Sequence, residues 1–236
     1  MEASDAPLPD QVRKTHRTEA SSSSAVTGLS LPLPVSEGMS AQVSIIASAV
    51  FDRFKQHLGV DAEVEARLCE IRGVPKAASS RIVSEKHSIE VGVDRKTFTT
   101  VSERLGNSAG VTVSSTDSVD VRTGDLRTTK QNGTVTTIKK VRKAVVDVQL
   151  AGTKYDLRFA VSAEVPVEPR AFPDALPQDA RKKQRKSFRL EANVYDLTVV
   201  ESRGRVTREI EVERVCTSEA DVTELVQHAL GLANST

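Results

Sequence analysis

Five residues near the C-terminal end, Glu209-Ile210-Glu211-Val212-Glu213, restrict what this chain can fold into more than any other stretch. A β-strand sends successive side chains to opposite faces, so this segment puts three carboxylates on one face and two aliphatics on the other. Those carboxylates stand at steps of only about 7 Å along the strand and repel one another. The same division recurs upstream. In Glu63-Val64-Glu65-Ala66-Arg67-Leu68 the charges share one face, and Val64, Ala66 and Leu68 the other. Between Tyr155 and Glu164, the face with Asp156, Arg158, Ser162 and Glu164 opposes Leu157, Phe159 and Val161; Tyr195-Asp196-Leu197-Thr198-Val199 repeats the theme. Any one of these could be a half-buried strand with its charged face in water. As a set they argue otherwise, because a solvated face usually mixes signs and includes Thr, Ser or Lys.

Helical segments flank the strands. From about Ser40 to Leu58, Val43, Ile46, Val50, Phe54 and Leu58 recur at three- and four-residue spacing before Gly59. A last helix is expected from near Ser218, with Asp221 at capping-box distance, through Leu225 and Ala229. The Val- and Thr-rich stretch between, broken at Gly106-Asn107, Gly124-Asp125 and Asn132-Gly133, provides eight to ten strands up to Val215. The segment from Pro166 to Pro177, with Pro169 and Pro173, must leave the sheet. If the helices cover the aliphatic faces, the charged faces line the inside of an antiparallel barrel, and such an interior can be polar when it holds a ligand. The expected fold is all-β dominated, with a charged interior and outer helices.

A length of 236 residues suits one such domain with a tail. Residues 1–38 contain Ser21–Ser24, Pro7, Pro9, Pro32 and Pro34 and no aromatic residue, so they are expected to be a disordered tail preceding a domain at 39–236. With 33 Lys and Arg against 32 Asp and Glu, the chain lacks the basic excess of a non-specific nucleic-acid coat, so any phosphate-binding charge must be local. The absence of Trp, with two Tyr and six Phe, disfavours base stacking as the mode of RNA reading. Cys69 and Cys216 match no metal or redox spacing and are expected to be buried reduced thiols. Neither a membrane span nor a signal peptide is visible, which predicts a soluble nuclear or cytoplasmic protein without a membrane partner. His16, His57, His87 and His228 do not suggest a metal site, and no nucleotide-cradling glycine loop or phospho-cysteine motif occurs.

Carboxylates crowded inside a barrel raise one another's pKa values and oppose folding unless cations share the space. Basic side chains are present to do so. Arg181-Lys182-Lys183-Gln184-Arg185-Lys186 sets Arg181, Lys183 and Arg185 on one face, and Lys139-Lys140-Val141-Arg142 and Arg127 add further bases. Arg grips phosphate oxygens bidentately and Lys acts as a point charge, while carboxylate oxygens suit Mg²⁺ or Mn²⁺. The pattern describes a tunnel for a triphosphate.

With these motifs in this order, the chain resembles the fungal and protozoan metal-dependent RNA triphosphatases of mRNA capping, in a small, kinetoplastid-like form. These belong to the triphosphate tunnel metalloenzymes. The resemblance runs from about Asp61 to Val215 and rests on Glu63-Val64-Glu65, the tyrosine-aspartate strand ending in Glu164, the Arg-x-Lys-x-Arg strand, Asp196-x-Thr198 and Glu209-Ile210-Glu211-Val212-Glu213. It implies an eight-stranded tunnel barrel that removes the γ-phosphate from the 5′-triphosphate end of nascent RNA, and hydrolyses NTPs when Mn²⁺ is supplied. Glu63, Glu65 and Glu213 would hold the metal. Glu211 and Asp196 would hold metal-bound waters, Glu209 would orient neighbouring cations, and Glu164 would act as general base. Arg127, Lys183 and Arg185 would clamp the γ-phosphate, supported by Lys140, Arg158, Arg181 and Arg67. Strand register decides between Lys139 and Lys140, and Lys140 is preferred. Arg67 stands where the superfamily often has Lys, which suits orienting glutamates. A guanylyltransferase or other capping partner and a nuclear location follow from the same resemblance. Two alternatives stay open: a tunnel hydrolase of tripolyphosphate, thiamine triphosphate or free nucleotides, and a non-catalytic barrel that binds RNA or protein through Arg181–Lys186.

Overall fold

A computed structural model describes residues 37–60 and 62–236; the expected tail falls almost wholly outside them. The strands are β1 (Glu63–Arg72), β2 (Arg81–Ile82), β3 (Ser88–Val91), β4 (Thr112–Thr123), β5 (Leu126–Gln131), β6 (Thr134–Gln149), β7 (Asp156–Val167), β8 (Arg181–Leu190), β9 (Asn193–Ser202) and β10 (Arg205–Val215). The helices are α1 (Glu37–Phe54), α2 (Arg95–Gly106) and α3 (Glu219–Ala233), with a 3₁₀ turn at Lys55–His57. No described helix is long and apolar enough to cross a membrane.

Because β1 pairs with both β10 and β7, eight strands close in the order β10-β9-β8-β4-β5-β6-β7-β1, antiparallel throughout. Closure leaves the barrel without edges. β3 pairs with the second half of β1, and β2 lies against the end of β6. Two of the sequence's turn signals join neighbouring strands. Gly124-Asp125 connects β4 to β5, and Asn132-Gly133, both at positive φ (49° and 80°), makes the tight turn from β5 to β6. Gly106-Asn107 instead closes α2.

Aliphatic residues face outward from the barrel, as the alternation requires. Val64, Ala66 and Leu68 of β1, Phe159 of β7, Leu197 of β9 and Ile210 and Val212 of β10 are buried in one cluster with Val43, Ile46, Val50 and Phe54 of α1 and Val222, Leu225 and Ala229 of α3. Each fully buried Val, Leu, Ile or Phe among them contributes about 1.5–3 kcal/mol. The helices therefore hold the barrel from outside and leave its bore free for charge. Both cysteines are buried and free.

One element departs from expectation. The strand-rich reading of residues 61–215 does not anticipate α2, whose sequence includes Thr97, Thr99, Thr100 and Val101, all poor helix formers. Its start is fixed by Asp94, which accepts a 2.9 Å hydrogen bond from the Thr97 amide, and it buries Val101 and Leu105. Packing on the barrel decides its conformation over propensity.

The start of α3 yields a stability prediction. Ser218 and Asp221 form a reciprocal capping box, and Asp221 also accepts from Thr217 and Arg214. The Thr217 amide, ahead of the other donors, holds the Asp221 pKa well below the usual carboxylate range. A depressed pKa stabilises the fold above the unfolded value of about 3.9 and is lost as pH falls toward the folded value. Asp221→Ala should therefore cost about 0.5–2 kcal/mol near neutral pH. Denaturant melts at pH 7 and pH 3 should show the gap narrowing in acid; a gap independent of pH would mean that the carboxylate charge is not what stabilises the cap.

Candidate active site

The bore contains a cavity of about 280 Å³ whose wall is almost entirely charged. Twelve of the sequence-predicted side chains line it: Glu63, Glu65 and Arg67 from β1, Arg127 from β5, Lys140 from β6, Glu164 from β7, Arg181, Lys183 and Arg185 from β8, and Glu209, Glu211 and Glu213 from β10. Strand register explains how residues remote in sequence meet. Glu65 stands opposite Glu213 and Arg67 opposite Glu211 across β1–β10, Glu211 stands opposite Asp196 across β10–β9, and Lys140 stands opposite Glu164 across β6–β7. Lys139 points outward to Asp125 at 2.7 Å, so register selects Lys140.

Acids and bases interlock within the cavity. Arg67 pairs with Glu211 and approaches Glu65 at 3.6 Å. Lys140 lies 3.4 Å from both Glu65 and Glu164 and 3.8 Å from Glu63. Arg127 donates to Glu164 at 3.0 Å, and Arg181 to Glu209 at 2.8 Å. Lys183 pairs with Asp120, and Arg185 with Asp196 and, at 3.9 Å, Glu211. Arg185 also donates to the Thr198 hydroxyl at 3.1 Å.

Asp196, Glu211 and Glu213 each offer an oxygen within 4.8 Å of the others. Burial, and then the charges of Glu63, Asp196 and Glu211, push the Glu213 pKa up to about 9. Burial likewise raises Glu211 despite Arg67. A divalent cation would relieve this crowding, and three carboxylates form the all-oxygen donor set that Mg²⁺ and Mn²⁺ take. The residues therefore fit such an ion. Of the three ligands inferred from the sequence, only Glu213 belongs to this group. Burial alone would raise Glu65, but the charges of Arg67 and Lys140 overcome it and hold its pKa below the ordinary value. Glu63 lies beside the group without joining it. Asp196, expected to act through metal-bound water, offers an oxygen to this group, and it does not line the cavity itself.

Arg158 corrects an expectation. It points to the inner face but does not line the cavity, because Asp147 holds it through two hydrogen bonds of 2.7 and 2.8 Å and accepts a third contact from His87. In this structure its guanidinium is engaged by Asp147.

The sequence reading omitted Asp120 and Arg122 of β4, both in the cavity wall, and counted Arg142 of β6 only among the further bases, although it lines the wall too. The signal existed in β4, where Thr116, Ser118, Asp120 and Arg122 alternate with Asp117, Val119 and Val121. Ser115 and Asp117 on the outer face blur the contrast.

Comparison with known proteins bears on this arrangement. The sequence profile of the mRNA triphosphatase family, described as mRNA capping enzyme, beta chain, matches residues 108–229. No curated protein matches the chain. Among solved structures, that of the S. pombe Pct1 RNA triphosphatase in complex with the Spt5 CTD superposes with a TM-score of 0.62 at 20% identity, covering 80% of this chain and 84% of that one. A second structure of the S. pombe Pct1 RNA triphosphatase superposes with a TM-score of 0.62 at 20% identity, covering 80% of this chain and 83% of that one. At this identity the likeness establishes a shared tunnel-barrel fold.

Proposed function

The chain belongs to the mRNA triphosphatase family of the mRNA capping enzyme beta chain, and from that premise we propose that it hydrolyses the γ-phosphate of 5′-triphosphate RNA with a divalent metal. The observation that carries this reading is the Asp196-Glu211-Glu213 oxygen group, with Glu211 and Glu213 in the bore's wall of Arg and Lys and Asp196 paired to Arg185 of that wall. A Mg²⁺ or Mn²⁺ ion held there would polarise a phosphate oxygen and offset charge in the transition state.

The chain's own residues do the rest. Arg127, Lys183 and Arg185 converge on the cavity and supply the donors that grip the γ-phosphate oxygens. The Arg127 Nε is buried with no hydrogen-bond partner among the described residues, a donor ready for an incoming oxygen. Glu164, positioned by Arg127 and Lys140, takes the proton of the water that attacks phosphorus in line. The bond from phosphorus to the bridging β-phosphate oxygen breaks, leaving a diphosphate end and inorganic phosphate. Capping then requires a guanylyltransferase to consume that end, which implies a nuclear site of action and a capping partner. Free NTPs carry the same triphosphate and are proposed as secondary substrates with Mn²⁺.

The test is release of labelled γ-phosphate from triphosphate-ended RNA, ATP and tripolyphosphate, each with Mg²⁺, Mn²⁺ or chelator. Metal-dependent release, greatest from RNA, is the expected result. Preference for tripolyphosphate would make the protein a general tunnel hydrolase, and a folded protein inert with every metal would end the catalytic reading.

A further inference from the structure

The ion pairs described above occupy six of the cavity's eight basic side chains. The other two, Arg122 and Arg142, form no ion pair and no side-chain hydrogen bond among the described residues. A cation already bonded to a carboxylate gains from an arriving phosphate only what exceeds the bond it gives up. Net attraction for a polyanion must therefore come from cations without an internal partner.

Arg122 has surroundings that make this costly in the empty bore. It stands directly across the β4–β5 pairing from Arg127, and its β4 neighbour Asp120 is opposite Arg181 and paired with Lys183. Burial and then the charges of Arg181 and Arg127 lower its pKa, so its guanidinium is crowded by like charge. Arg142 follows Lys140 by two residues on β6, at the point where a bulge between Arg142 and Ala144 breaks the ladder. Bulges of this kind re-aim a side chain, and here the side chain lines the cavity.

We infer that Arg122 and Arg142 are substrate-binding residues that supply the tunnel's net attraction for polyphosphate, while the paired cations mainly hold the acids and shape the γ-phosphate clamp. This deepens the triphosphatase reading and rests on it. Two arginines on different strands, free of any ion pair or side-chain hydrogen bond among the described residues, can each take phosphate oxygens bidentately. Their removal should cost affinity, and the loss should fall on KM and on the salt dependence of binding.

The experiment is calorimetric titration of the full chain with inorganic tripolyphosphate at several salt concentrations, alongside KM and kcat for triphosphate-ended RNA. Arg122→Ala and Arg142→Ala should each weaken tripolyphosphate binding roughly tenfold or more and flatten its salt dependence. Arg122→Lys and Arg142→Lys should fall between wild type and Ala, and they provide the test if an Ala variant does not fold. Lys182→Ala, an equal charge change on the outer face of β8, is the control and should bind as wild type does. Unchanged binding in both arginine variants, or an equal loss in Lys182→Ala, would overturn the assignment. Wild-type protein that binds tripolyphosphate through these arginines yet releases no phosphate from RNA would remove the hydrolytic reading alone. Wild-type hydrolysis with binding indifferent to both arginines would remove this inference alone.

Discussion

Glu213→Gln is expected to lower metal-dependent phosphate release by roughly 10²–10³-fold or more, and at the same time to raise the thermal midpoint measured in chelator. Both effects come from one cause. Glu213 belongs to the three-carboxylate group within ligating distance, and Glu63 and burial add to the crowding on it. Without a cation, its carboxyl is easier to keep protonated than charged, and its pKa rises to about 9. A group whose folded pKa lies above its unfolded value stabilises the fold below the unfolded value, and that contribution is lost as pH rises through the folded one. In chelator, the variant should therefore match wild type near pH 5 and exceed it most near pH 9, by a few degrees. Adding Mg²⁺ or Mn²⁺ should raise the wild-type midpoint, since a ligand that binds only the folded state stabilises it, and should raise the variant's less. A variant as active as wild type, or equally stabilised by metal, would exclude Glu213 as a ligand.

The extent to which this site was legible follows from what strand alternation can and cannot report. Alternation assigns each residue to a face, and the like-charged faces of Glu63–Arg67 and Glu209–Glu213 belong to the bore as expected. It does not report register between strands distant in sequence. Whether Glu213 groups with Glu65 or with Asp196 depends on the competing pull of Lys140 and Arg67, which no single-strand pattern contains. Arg158 shows the same gap: its face was correct, but its partner Asp147 comes from β6, and that pairing removes it from the cavity. β4 was obscure because polar residues occupy both its faces, which hid Asp120 and Arg122. α2 was missed because its threonines read as strand, while the cap at Asp94 and the buried Val101 and Leu105 matter only once the barrel exists to pack against. Helix α3 was legible because its capping box is a local signal complete within four residues.

Removing Arg67 should produce the largest loss of stability among single changes in the bore. Arg67 pairs with Glu211, whose side chain is only 4% exposed, and its charge also reaches Glu65 and Glu209. Arg67→Met keeps much of the aliphatic stem but leaves Glu211 buried among like charges. Deleting one member of a buried ion pair typically costs about 3–5 kcal/mol, because the survivor stays desolvated and uncompensated. For a domain of this size that corresponds to a midpoint lowered by roughly 6–20 °C. Burial already raises the Glu211 pKa, so part of the cost can be relieved by taking up a proton, which favours the lower end of that range at acid pH. The double variant Arg67→Met/Glu211→Gln separates charge from packing. If the penalty is the stranded carboxylate, the second change should recover most of the lost stability. If the double variant is as unstable as Arg67→Met alone, Arg67 acts through its packing in the bore, and the ion pair is not what holds β1 against β10.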